Sequence, residues 1–211
     1  MEEAILSKPE EENHLEHIRN ELKSIILNDG IPWGSGLDPN NNVYKWTMDT
    51  KAFLLDPKGL HLTTQLFMEK IKKYNPDAIG GLTLASHLIA SSLVYSSNMD
   101  KKLDGFLVRR ERKQYDMMKI VEGPDIQNNN VIIVDDGLNA AGFATEAIEK
   151  VEALGCKVLA VFVLINFENE EFINLKNKGY IVDSIFTLKD IGIDTRYKPL
   201  KPDFFNLKWR Y

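Results

Sequence analysis

Cysteine is almost absent, with Cys156 alone among 211 residues. No disulfide can therefore close within the chain, and no zinc site can be built from cysteines. The setting of Cys156, in "ALGCKVLAVFV", reads as the buried start of a strand. Apolar runs long enough to cross a bilayer are also missing. With 44% hydrophobic and 27% charged residues the composition is that of a globular protein, so no membrane partner is expected. The first residues, "MEEAILSKPEEENHLEHIRN", are acidic and lack a basic stretch followed by an apolar one, so a cytoplasmic protein is expected. The formal net charge is −5 and the pI about 5.5, which excludes a broad electrostatic platform for nucleic acid. Histidine is scarce too, at four residues. His14 and His17 share a helical face without a third ligand nearby, and neither they nor His61 and His87 are assigned a metal or a role. Trp33, Trp46 and Trp209 are spread too widely to form a stacking platform.

What is present is an α/β pattern, read as a single domain over 1–211. Leu15, Ile18, Leu22 and Ile25 recur at helical spacing behind the acidic start, and "NDGIPWGSGLDPNNN" stops that helix. "VYKWTMDTKAFLL" reads as extended, and "DPKGLHLTTQLFMEKIKKYNPD" as a helix ended at Asn75-Pro76. Residues 1–76 thus make a small helix-plus-strand hood. From Asp77 to Ile191, "AIGG", "GFLVRR", "NVIIVDD", "KVLAVFVLINF" and "YIVDSIFTL" alternate as strands with "LTLASHLIASSLV", "ATEAIEKVEALG" and "EEFINLKNKG" as helices. Strands apolar on both faces predict a mostly parallel sheet flanked by helices, with ligands bound beyond the carboxyl ends of its strands. Residues 192–211 form an aromatic and basic tail.

The segment "VIIVDDGLNAAGFATEAIEKV" holds the chemistry. Val131–Val134 are four apolar residues of a buried strand, and Asp135 and Asp136 follow where the chain is expected to leave the sheet. The loop Gly137–Gly142 leads into a helix whose Ala147, Ile148, Val151 and Leu154 share one face. The start of such a helix offers free N–H groups and a positive dipole end to a phosphate. No Gly-Lys-Ser/Thr follows and no GxGxxG is present in the segment, so this is neither a Walker loop nor a dinucleotide fingerprint. A blander reading stands beside this one: the two acids end a strand and help cap a helix. Upstream, "LVRRERKQYDMMK" concentrates positive charge in an acidic chain, either for a polyanionic small molecule or as a solvated hairpin.

These residues resemble the type I phosphoribosyltransferases. "VIIVDDGLNAAGFATEAIEKVEALGCKVLAVFVLI" is similar to the family's phosphoribosyl pyrophosphate signature, and "LKNKGYIVDSIFTLKDI" to the orotate phosphoribosyltransferase branch. "IGGLTLASHLIA", "LVRRERKQYDMMKIVEG" and "YKWTMDTKAFLLDPKGL" resemble that branch's pyrophosphate loop, flexible catalytic loop and hood. The resemblance implies transfer of phosphoribosyl from phosphoribosyl pyrophosphate, as its magnesium complex, to a nitrogenous base in nucleotide biosynthesis. It implies a homodimer whose subunits share active sites. Asp135 and Asp136 would hold the ribose hydroxyls; Arg109, Arg110 and Lys113 the pyrophosphate, with Arg110 and Lys113 catalytic. Asn139, Ala140, Ala141, Gly142 and Phe143 stand in the phosphate loop, and Asn166 and Phe167 at the base site. The chain departs from the family at three places: only Gly142 keeps the loop's residue type, Tyr115-Asp116 replaces His-Gly, and Asn166-Phe167 replaces an Asp-Arg pair. A non-catalytic relative with a binding or regulatory role is therefore the alternative, and Phe167 offers a stacking surface to a base without a carboxylate.

Overall fold

The computed structural model of the protein describes residues 8–31, 33–37, 43–46, 48–97, 102–111, 119–138 and 142–193. The apolar spacing of the first segment produces helix α1, Lys8–Asp29, which buries Ile18, Leu22 and Ile26 at four-residue intervals along one face. Leu15 and Ile25 pack at the edge of the same cluster. Two short strands follow, β1 (Trp33–Leu37) and β2 (Val43–Trp46), paired antiparallel with Trp33 opposite Trp46 and Leu37 opposite Val43. The stretch expected only to stop α1 thus supplies a strand as well. "KAFL", expected to be extended, is the short helix α2, Lys51–Leu54, which buries Phe53 and Leu54.

Helix α3, Pro57–Ile71, begins as its sequence dictates. Asp56 accepts from Lys58 N (2.9 Å) and Gly59 N (3.0 Å), and Pro57 sits where no intrahelical N–H is needed. The chain then alternates β3 (Ala78–Gly81), α4 (Leu84–Ser96), β4 (Asp104–Val108), β5 (Val121–Glu122), β6 (Asn130–Leu138), α5 (Phe143–Glu152), β7 (Lys157–Asn166), α6 (Glu170–Asn177) and β8 (Val182–Thr187). Gly179, at φ 90°, follows α6 as the expected stop.

The main sheet runs β5-β4-β3-β6-β7-β8, parallel except for the β4–β5 pair. Alternate residues of the central strands face opposite layers. Ile132, Val134, Ala160, Phe162 and Leu164 pack with α1 to α4, whereas Val131, Ile133, Val161 and Val163 pack with α5 and α6. Continuous apolar strands with helices on both faces are the expected solution for a parallel sheet. Truncating a fully buried ring such as Phe162 to alanine should cost about 3–5 kcal/mol.

Chain order reverses between β3 and β6, so the crevice of the sheet opens beyond their carboxyl ends. There β3 must approach its neighbours closely: a Cβ on Gly81 would meet Val134 O at 2.4 Å and Ser86 Cβ at 2.7 Å. Only glycine fits. One sequence expectation is corrected here. The strand that holds Asp135 and Asp136 does not end with them but runs on to Leu138, taking Gly137 and Leu138 out of the expected loop, because β7 continues far enough to pair Gly137 with Ile165 and Leu138 with Asn166.

Candidate active site

Two acids within a strand at a sheet crevice need partners, and the neighbouring elements provide one hydroxyl each. Thr83, in the turn between β3 and α4, donates its hydroxyl to Asp135 Oδ1 at 2.5 Å and receives Ser86 N at 3.0 Å, so it caps α4 as well. Asp136 N also donates to Asp135 Oδ1, at 2.9 Å. Asp135 is only 4% exposed. Burial pushes its carboxyl well above the ordinary carboxylate range, the Asp136 charge adds to the rise, and the Thr83 hydroxyl opposes it. On the other face, the Thr50 hydroxyl donates to Asp136 Oδ2. Thr50 starts α2 without capping it, since its hydroxyl is committed to Asp136. The acid pair is therefore tied to β3–α4 by one member and to the hood-side helix α2 by the other.

The second cluster forms at the start of α5. Gly142 precedes the helix at φ 71°, a left-handed conformation that glycine adopts without strain, and no side chain of its own caps the helix. Phe143 opens the helix, and the Arg110 guanidinium lies 5.0 Å from its ring centroid. Lys150, one face further along α5, donates to Arg109 O (2.7 Å), Arg110 O (2.9 Å) and Glu146 Oε1 (2.5 Å). The backbone at Arg109 and Arg110 is thus clipped to α5. Arg109 itself pairs with Glu122 of β5 at 2.8 Å.

The candidate base residues sit at the end of β7. Asn166 is buried, and its Oδ1 accepts from Glu168 N at 2.7 Å, closing a turn in which Glu168 adopts φ 51°. The ring of Phe167 lies against Gly137, 2.6 Å from where a Cβ would stand, beside the acid strand. Lys113, Asn139, Ala140 and Ala141, together with Tyr115 and Asp116, lie outside the described residues. Among the described residues no group of three His, Cys, Asp or Glu side chains could hold a metal ion by itself.

No family model matches the chain. It is 30% identical over 148 residues to the orotate phosphoribosyltransferase of Aquifex aeolicus, covering 70% of this chain and 81% of that one. The chain belongs to the orotate phosphoribosyltransferase family. Solved structures agree on the fold: the Mycobacterium tuberculosis orotate phosphoribosyltransferase in complex with Fe(III) dicitrate superposes with a TM-score of 0.75 at 21% identity, over 83% of this chain and 99% of that one. The same enzyme in complex with 5-phospho-alpha-D-ribosyl 1-diphosphate gives 0.67 at 20% identity, over 83% and 92%.

As an orotate phosphoribosyltransferase-like protein the chain carries its acid pair at the switch point of the sheet. The residues that hold this pair, Thr50 and Thr83, had no signal in the sequence beyond their type. Thr83 was read inside the helix "LTLASHLIASSLV" and not as its cap, and its bond to Asp135 spans 52 positions. Lys150 reads as an ordinary exposed helix lysine until the fold brings Arg109 and Arg110 above it. His87, left without a role, lies with Nε2 3.2 Å from Gly81 O, and burial holds its imidazole below the ordinary value against the pull of the Gly81 and Val108 backbone groups.

Proposed function

We propose that this chain binds phosphoribosyl pyrophosphate across the carboxyl ends of β3 and β6 and transfers the phosphoribosyl group to a nitrogenous base. The observation that carries the reading is the Asp135–Asp136 pair, held by two threonine hydroxyls at the sheet's switch point in a chain of this family. Asp136, less buried than Asp135, is suited to accept hydrogen bonds from ribose hydroxyls, and Asp135 to orient it through Asp136 N. In the reaction a base nitrogen forms a bond to C1′ of the sugar as the bond from C1′ to the pyrophosphate oxygen breaks. Negative charge then gathers on the leaving pyrophosphate while the sugar becomes oxocarbenium-like. Arg109, Arg110 and Lys113 would stabilise that charge.

Magnesium fits this donor set as a companion of the substrate. It is a hard ion that takes one or two carboxylates together with phosphate oxygens, and Asp136, the less buried of the two acids, is such a carboxylate. When bound with the pyrophosphate it neutralises part of the leaving group's charge.

A homodimer would bring Lys113 of one subunit to its neighbour's site. The outer face of α4 supports a covered surface there: Leu84, Leu88, Ser91 and Tyr95 form one stripe, with Leu84 74% and Tyr95 91% exposed. A non-catalytic binding role is the second reading. It is favoured by Asn166, whose side-chain oxygen serves a backbone turn.

A pyrophosphate-release assay with magnesium, phosphoribosyl pyrophosphate and a panel of bases tests the proposal. Release should require a base and should fall at least about a hundredfold in Asp136→Asn. Thermal stabilisation by phosphoribosyl pyrophosphate without release for any base would favour the binding role instead.

A further inference from the structure

Phe143, Glu146 and Lys150 recur at helical spacing along one stripe of α5, and all three meet Arg110. The Phe143 ring lies against the guanidinium, and the Glu146 carboxylate is 4.0 Å from Arg110 Nε. Lys150 acts on the backbone instead. Its ammonium donates to Arg109 O, Arg110 O and Glu146 Oε1, as many partners as it has N–H bonds. Charge-assisted bonds of this kind are stronger than neutral ones, and the side chain is only 19% exposed. A lysine so placed is a clip between two elements that lie 40 positions apart.

The same backbone is held from its other side. Arg109 N donates to Ile120 O at 2.9 Å, beside the Val108–Val121 pair of the β4–β5 ladder. Arg109 is therefore fixed at its N–H by the segment entering β5 and at its C=O by α5. Its guanidinium reaches only Glu122 and an exposed carbonyl, and the Arg110 side chain is 67% exposed with looser contacts. Both guanidinium groups can exchange these contacts for an anion while the backbone that carries them stays in place. Helix α5 in turn packs on the acid strand, with Ala147, Ile148 and Val151 in one cluster with Val131 and Ile133. Lys150 thus relates the two arginines to the strand of Asp135 and Asp136.

We propose that Lys150 is a positioning residue for phosphoribosyl transfer, clipping the Arg109–Arg110 backbone to α5 so that both guanidinium groups are placed, relative to the acid strand, to meet the leaving pyrophosphate. The inference rests on the reading of the Asp135–Asp136 crevice as the ribose site. A backbone ordered in advance loses no further freedom when the anion arrives, whereas without the clip that loss falls on the binding step. Lys150 itself need not touch the anion, since its three donors are already engaged.

The test uses the full chain, with inorganic pyrophosphate and ribose 5-phosphate as probes in calorimetry and hydrogen exchange at the Arg109 amide as a reporter that needs no ligand. Lys150→Met removes the donors but keeps the length of the side chain, and methionine is a good helix former, so α5 is retained. Unfolding curves establish that each variant is folded. Arg109 exchange should quicken at least about tenfold and pyrophosphate affinity should fall at least about tenfold, while ribose 5-phosphate affinity stays within about twofold. The double variant Lys150→Met/Glu146→Gln has the net charge of wild type, and against Glu146→Gln alone it should show the same loss of pyrophosphate. Recovery in the double variant means that the lysine acts by charge, and an equal loss of both probes means that it merely supports α5; either overturns the proposal. So does an unchanged Arg109 exchange rate. If wild type binds both probes and Lys150→Met binds them as tightly, the ribose site stands and Lys150 loses this role. If wild type binds neither probe, the phosphoribosyl reading falls first and the role of Lys150 with it, even where Arg109 exchange quickens.

Discussion

Thr83 and Asp135 join the ends of β3 and β6 by a 2.5 Å hydrogen bond, placing a buried carboxyl where the sheet reverses its order. Asp135 accepts both of its local hydrogen bonds, from Thr83 and from Asp136 N, on the same oxygen, Oδ1. Asparagine offers that oxygen without the charge. Because burial and Asp136 raise the folded-state pKa of Asp135, the folded protein holds this proton more firmly than the unfolded chain. The associated stability is fully present below the ordinary carboxylate pKa and is lost as pH rises through the raised one. Asp135→Asn should therefore have a higher Tm than wild type near about pH 8, with the difference shrinking towards about pH 3. A difference independent of pH, measured by scanning calorimetry, would contradict the buried-charge account.

The bond from Thr50 to Asp136 links the hood-side helix to the acid strand, and Thr50→Val removes it with little change of shape. The hydroxyl caps nothing else in α2, so the loss is confined to this one contact. Asp136 is not fully buried, so water compensates in part and the cost should be about 1 kcal/mol. For a chain of this size that corresponds to a fall in Tm of about 2–4 °C. An unchanged Tm would mean that the hydroxyl does not hold the acid in solution.

The parallel sheet and its helices were legible because the apolar runs of β6 and β7 are long and the glycine stops are local signals. Gly179 and the capping Asp56 needed no tertiary knowledge. The end of β6 was placed two residues early because two acids followed by Gly137 look like a chain leaving a sheet, whereas the reach of β7 carries the pairing on to Leu138. The candidate acids stand out from their place in the sequence pattern and the resemblance, but the hydroxyls bonded to them lie 52 and 86 positions away, beyond any local pattern. The same holds for Glu171. An acid in the first turn of α6 reads as a favourable partner for its own helix, and only the packing of α6 beside α5 shows that its carboxylate serves another.

Base choice should follow the end of β7. A carboxylated pyrimidine is best bound by a guanidinium fork, and the corresponding pair is Asn166-Phe167, with Asn166 Oδ1 committed to Glu168 N. Orotate should therefore turn over at least about a hundredfold more slowly than a preferred uncharged base. Comparison of pyrophosphate release with orotate, uracil and several purines decides this. Turnover of orotate at about 1 per second or faster would show that another cation supplies the fork.

Restoring the phosphate segment by Asn139→Thr, Ala140→Thr, Ala141→Gly and Phe143→Ser should tighten binding of phosphoribosyl pyrophosphate. The changes return hydroxyl donors and a glycine ahead of a helix start whose dipole favours a phosphate, while Asp135 and Asp136 are untouched. Removing Phe143 also frees Arg110 from its ring, returning a cation to the same region. The quadruple variant should gain about tenfold in affinity for phosphoribosyl pyrophosphate. No gain in calorimetry from the folded variant would mean that the segment holds a different ligand or faces a protein partner.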